Sequence, residues 1–333
     1  MLGLKYAWFA IAASLLFSGT ERVNAQSIGY AEALGQLGTN CGKDIGKFCG
    51  KTPLGGGRVS ECLSRNQAGL SPQCRQSLVN VTALLKRRIE ARASVPRLCD
   101  ADRRRLCGGI EPGDGNLMEC FYKAKRNVSA ACQQAVADAG YEVSLAPGPV
   151  ADQVHLSSND IVSSLQGVEA AAGSISAASL RQLAIQSMHD PARANRVNRA
   201  PLSEQLNNLA QLTVAIQFDF NSARIRPSSF RAVGLMADAL YHPYLMGYCF
   251  LVVGHTDAKG SRDYNLKLSQ ERADAIREAL INPFGIGPAR IEAVGLGEEQ
   301  LLDRAHPEAA ENRRVQLINI GRLNANSQCN TRR

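Results

Sequence analysis

From Leu212 onwards the apolar positions follow a regular order. In "TVAIQFDF", Val214, Ile216, Phe218 and Phe220 recur at every second place, which predicts a strand with one apolar face. "RPSSFRAVGLMADAL" then changes to helical spacing, with Pro227 near its start, Val233, Met236 and Leu240 on one side, and Pro243 beyond its end. "CFLVVGHTD" is a nearly continuous apolar run, the pattern of a strand covered on both faces. "LSQERADAIREAL" returns to helical spacing, with Ser269 as the expected cap and Ala273, Ile276 and Leu280 facing inward. "RIEAVGLGE" and "RRVQLINIG" predict two more strands. The order βαβαββ points to an α/β sandwich with a mixed sheet over residues 206–333.

The first half is patterned by cysteine instead. Cys41, Cys49, Cys62 and Cys74 follow C-x7-C-x12-C-x11-C, and Cys99, Cys107, Cys120 and Cys132 repeat that spacing 58 residues later. Echoes such as "SECL" against "MECF" mark a duplicated module over residues 26–140. A Gly-containing loop between helix-length segments predicts a helical hairpin in each copy. Inner cysteines meeting near the loop and outer ones near the open end favour the pairs Cys41–Cys74 and Cys49–Cys62, then Cys99–Cys132 and Cys107–Cys120. Spacing alone leaves three connectivities per set of four. Each hairpin is too small for apolar burial to hold it alone, and a bridge contributes roughly 2–4 kcal/mol. Zinc ligands usually sit two to four residues apart, a spacing none of these gaps shows, so no metal is expected. The sets resemble the cysteine-rich repeat of the Golgi apparatus protein 1 type, which implies a helical disulfide module and names no ligand.

Two further segments complete the organisation. Lys5, the apolar run "YAWFAIAASLLFSG" and the small residues Val23 and Ala25 predict a secretory leader over residues 1–25. That run is shorter than the ~20 residues needed to span a bilayer, and no later segment approaches such a run. The mature chain is therefore expected to be exported, which suits disulfides. Residues 141–205, rich in Ala, Ser, Pro and Asn, predict a linker with partial helix in "SNDIVSSLQGVEAAA" and "AASLRQLAIQSM", the first capped by Ser158 or Asn159. His155 and His189 lack ligand-like neighbours there. "NVT" at Asn80 and "NVS" at Asn127 fit the glycosylation pattern but read as chance matches.

Charge adds one constraint. The chain has 333 residues and a net charge of +8, and residues 26–140 hold 17 Lys and Arg against 10 Asp and Glu. A basic half suits an acidic polymer, an anionic membrane or simply a solvated surface.

The chemistry gathers in "GHTDAKGSRDYNLKLSQERA". Asp257 should lie just past the second strand and Arg272 in the first turn of the next helix, two places that border one crevice in α/β sheets. A cation in a first turn opposes the helix dipole, so it fits a guanidinium clamping an anion. Alternatively Asp257 and Arg272 simply pair with each other. Residues 212–321, through "FDFNSARIRP", "VVGHTDAKG", "YNLKLSQERA", "AVGLGEE" and "ENRRV", resemble the OmpA-like C-terminal domain. The resemblance implies binding of the meso-diaminopimelate of peptidoglycan stem peptides, without cofactor or nucleic acid, in the periplasm, with outer-membrane association an open option. It assigns Asp257 to a ligand ammonium and Arg272 to its carboxylate, with Asn221, Asn265 and Arg313 lining the pocket. Lys259 departs from the Thr or Asn often found there. His255 beside Asp257 invites a catalytic reading, but no nucleophile motif accompanies it. An interaction protein, whose basic repeats bind a protein or anionic polymer while the last domain anchors it, is the alternative. Cys249 and Cys329 are expected to bridge at the sheet end away from the crevice.

Overall fold

The computed structural model describes residues 28–110, 113–141, 157–166, 175–190, 206, 208–282, 284–323 and 329. The leader and His155 lie outside the described residues.

The cysteine-rich half is built from α1 (Tyr30–Phe48), α2 (Arg58–Arg65), α3 (Pro72–Leu98), α4 (Asp100–Leu106), α5 (Asp114–Lys123) and α6 (Ala130–Asp138). One arm of each hairpin is broken in two. Cys62 lies on α2 and Cys74 on α3, just as Cys120 lies on α5 and Cys132 on α6. The break comes from Ser71 and Ser129, whose hydroxyls accept from the Cys74 and Cys132 N–H groups and start new helices. Each serine hydroxyl also donates to an aspartate two helices back, Ser71 to Asp44 of α1 at 2.7 Å and Ser129 to Asp102 of α4 at 2.6 Å. These bonds recur at the same 58-residue offset as the cysteines. The disulfides are nested, Cys41–Cys74 around Cys49–Cys62 and Cys99–Cys132 around Cys107–Cys120. The long α3 belongs to both copies, closing the first and opening the second.

The sheet runs β1 (Gln211–Val214), β4 (Val315–Arg322), β2 (Tyr248–Gly254), β3 (Ile291–Gly295) across its width. β2 and β3 are parallel, and β4 is antiparallel to both β1 and β2. On one face α9 (Phe230–Leu240) and α11 (Arg262–Ile281) pack Val233, Met236, Ala273 and Ile276 against Phe250, Val252 and Leu317. On the other, α8 (Ala177–His189) sets Leu180 and Ala184 over Leu251, Val253, Val294 and Ile318. This second cover explains the unbroken apolar run of β2. The segment expected as a linker thus supplies α8 and also α7 (Ser158–Leu165), which packs beside α9. The α7 cap is Ser157, one residue ahead of the expected pair, because its hydroxyl and the Asp160 carboxylate form a reciprocal capping box. The short α10 (Pro243–Met246) begins at the proline expected only to end α9.

Strand β1 stops at Val214, well before Phe220, which is 94% exposed. The chain has already turned back. Asp219 N–H donates to Arg224 O, Phe218 bridges Ile225, and Asn221 takes a left-handed φ of 53° at the tip.

Two glycines let α11 lie directly on the sheet. A Cβ at Gly254 would stand 2.3 Å from Ser269 O, and one at Gly295 would stand 2.1 Å from Gln270 N. Gly295→Ala is therefore expected to cost roughly 1–3 kcal/mol, as overpacking does, because the obstacle is helix backbone. Urea unfolding measures it, and an unchanged midpoint would contradict this packing.

The two halves share one core. Tyr30, Leu34, Leu37 and Ile45 of α1 are buried together with Phe230, Val233 and Leu240 of α9. Met246, at the end of α10, is buried with Met118 and Phe121 of α5. Both copies of the repeat therefore contact the sheet domain.

Candidate functional site

Asp257 sits on the loop between β2 and α11. Backbone bonds from His255 to Arg314 O, Thr256 to Gly297 O and Ala258 to Pro307 O tie this loop to its neighbours. Asn265 supports it from beneath. Only 2% exposed, it donates its amide to Asp257 O, Lys259 O and the Glu298 carboxylate, at 2.6 Å for the last. Its amide nitrogen thus braces the loop that carries Asp257.

Arg272 also sits differently from expectation. α11 begins at Arg262, capped by Ser261, whose hydroxyl accepts from Tyr264 N–H. Arg272 is therefore mid-helix, and the dipole reasoning attached to a first-turn position does not apply. "GSRDYN" carries turn residues, yet Ser261 followed by Asp263 in the first turn is a helix start. Ser269, expected as the cap, is fully buried and accepts from Gly297 N–H at 2.8 Å, pinning α11 to the end of β3. Arg272 donates Nε to Ser222 O at 3.1 Å and stacks over the Phe218 ring at 4.9 Å. The turn after β1 and the middle of α11 thus form one wall. Burial pulls the Arg272 pKa below its ordinary value, with Arg313 adding to the fall, while Tyr264 and Asp257 oppose it.

The third wall is the segment leading into β4. Asn312, fully buried, accepts from Leu302 and Asp303 N–H and donates to Asp303, His306 and Pro307 carbonyls. It fixes the turn that presents Arg313. Arg313 Nη1 lies 2.6 Å from Asp257 Oδ2, and Lys259 N–H donates to Asp257 Oδ1. The acid is paired with Arg313, not with Arg272. Asn221 stands exposed on the turn opposite. Sequence reasoning missed Asn312, Glu298 and Arg262, the last clamped to Glu299 at 2.8 Å and to α8 carbonyls. Asn312 and Glu298 had a visible signal, as the Asn of "ENRRV" and the first Glu of "AVGLGEE".

His255 is 2% exposed, and burial holds its pKa well below the ordinary value, with Arg314 adding to the effect. A neutral ring sealed from solvent does not shuttle protons to a substrate. Among the described residues no three His, Cys, Asp or Glu gather to hold a metal, and no helix is long and apolar enough to cross a membrane.

One carboxylate between two guanidiniums, at the carboxyl end of β2 in a mixed βαβαββ sheet, defines an OmpA-like domain, preceded here by doubly bridged helical repeats. Family models match the OmpA family over residues 217–314 and a cysteine rich repeat over residues 72–129. The second window starts with α3 and ends at the Ser129 cap, so it covers one structural period and its Cys74 and Cys99 bridge outward. The peptidoglycan-associated lipoprotein of Pseudomonas aeruginosa is 32% identical over 132 residues, covering 38% of this chain and 76% of that protein. The chain belongs to the OmpA family. Outer membrane porin F of Pseudomonas aeruginosa is 34% identical over 110 residues, 32% of this chain, which spans only 31% of that porin. The crystal structure of the peptidoglycan-associated lipoprotein from Burkholderia pseudomallei is 34% identical, covering 32% of this chain and 89% of that one, with a TM-score of 0.28.

Proposed function

We propose that this chain is a non-catalytic protein of the bacterial envelope that binds peptidoglycan through the meso-diaminopimelate of its stem peptides. The observation that carries this is the crevice itself: Asp257 held beside Arg272 and Arg313 on segments braced by the buried Asn265 and Asn312. An amino-carboxylate centre needs one acceptor for its ammonium and one planar donor for its carboxylate, and Asp257 and Arg272 have those chemistries. The relatives named peptidoglycan-associated support the same ligand class. The buried, neutral His255 supports a binding role over hydrolysis. A leader over residues 1–25 would deliver the chain to the periplasm, where its bridges form.

Co-sedimentation with purified sacculi tests this. Wild-type protein should pellet, and Asp257→Ala and Arg272→Ala should each weaken retention. A charge-assisted hydrogen bond contributes ~1.5–3 kcal/mol, so each loss amounts to roughly ten- to a hundredfold. Wild-type protein left in the supernatant refutes the function, retention of both variants unchanged from wild type refutes the site, and released wall fragments would restore an enzyme.

A further inference from the structure

We propose that Arg313 occupies the ammonium subsite until ligand arrives, and that once displaced it reads a second carboxylate, making the crevice selective for stem peptides that end in a free carboxylate. This rests on the diaminopimelate reading above.

The two arginines differ in how they are held. Arg272 is fixed by Ser222 O and by the Phe218 ring. The Arg313 side chain is 48% exposed and donates across the crevice mouth to Asp257, whose side chain is 13% exposed. An ammonium reaching Asp257 Oδ2 finds a guanidinium already there, and two cations at one oxygen repel. Because an ion pair with one partner in solvent is held weakly, the incoming ammonium can take its place. Asp257 does not lose its aim when Arg313 leaves, since Lys259 N–H still donates to its other oxygen.

The charge balance then indicates what the displaced guanidinium meets. Arg272 and Arg313 outnumber Asp257 around the crevice, and Lys259 lies exposed on the same loop. A plain zwitterion satisfies Asp257 and Arg272 and leaves positive charge at the mouth. A ligand carrying one more carboxylate close to the zwitterionic centre neutralises it, through a planar fork suited to bidentate pairing. A stem peptide cut back to diaminopimelate supplies that group as its own chain terminus. The same stem with that terminus amidated or extended lacks it.

Isothermal titration calorimetry on the mature chain tests this, with a synthetic stem tripeptide ending in meso-diaminopimelate and the same peptide amidated at the chain terminus. Wild type should bind the free acid several-fold more tightly than the amide. Arg313→Gln should weaken binding of the acid and strengthen binding of the amide by a few fold, because the competitor for the ammonium subsite is gone. If Arg313→Gln weakens both peptides by the same factor, or wild type does not distinguish them, Arg313 is only a fixed wall and the proposal fails. If neither peptide binds wild type, the diaminopimelate reading itself fails.

Discussion

Asp238→Ala should loosen the cysteine-rich half from the sheet domain and cost about 3–5 kcal/mol, the range for breaking one partner out of a buried ion pair. Asp238 lies on α9, yet its carboxylate serves α1. Its two oxygens accept the N–H groups of Tyr30 at 3.0 Å and Ala31 at 2.9 Å, which α1 cannot satisfy because Gly29 provides no side-chain cap. Asp238 Oδ1 also lies 2.9 Å from Arg88 Nη2, and the Arg88 side chain is only 3% exposed. Burial pulls the Arg88 pKa down while Asp238 raises it, so the carboxylate is what keeps that cation tolerable. Alanine would strand two amides and a guanidinium together. Arg88 continues to Ile28 O and Gly140 O, and Arg92 stacks on Tyr241 at 3.4 Å while reaching the Tyr30 hydroxyl at 2.6 Å. Tyr30, buried there, has its pKa raised to about 12 chiefly by desolvation. The readouts are the urea midpoint and limited proteolysis, with earlier release of the repeats expected. Asp238→Asn keeps one acceptor and should fall between the two, and an Asp238→Ala protein as stable as wild type would overturn this account of the interface.

Removing the outer bridge of the first copy by Cys41→Ala with Cys74→Ala should cost nearly as much. The two residues are 33 apart in sequence, against 13 for Cys49 and Cys62. Loop-closure entropy then gives about 3.7 kcal/mol for the outer bridge and about 2.9 kcal/mol for the inner one. Both outer cysteines are fully buried, between α1 and α3, so truncation also opens space in the shared core. The outer variant should unfold at lower urea than Cys49→Ala with Cys62→Ala. The reverse order would show that native packing, not chain entropy, dominates in this module.

Most of the fold was legible because its signals are local. Alternation, helical spacing and the 58-residue cysteine offset are patterns along the chain itself, and they yielded the order of elements and the duplicated module, while the strand order across the sheet came from the structure. The errors sit where local signals compete. "GSRDYN" carries both turn residues and a helix cap, and the cap won, moving Arg272 from a first turn to mid-helix. Phe220 continues the strand alternation on paper, but the bridge from Phe218 to Ile225 reverses the chain first. The polar, Ala-rich middle showed short helices without showing what they cover, since a helix face reveals its partner only once the sheet is assembled.

At the site the same division holds. Sequence by itself determined which side chains are available: an acid after β2, arginines on α11 and before β4, and cysteines at spacings that suit nested bridges. Only the tertiary structure decided which partner each takes. It set Asp257 against Arg313, 56 residues away, and turned Asn265 inward to brace the loop. It also made Asp238 the cap of a helix 207 residues distant. The physical reason is that periodicity and capping are set within a few turns of chain, whereas a charged group takes its partner from whatever packing brings within hydrogen-bond reach.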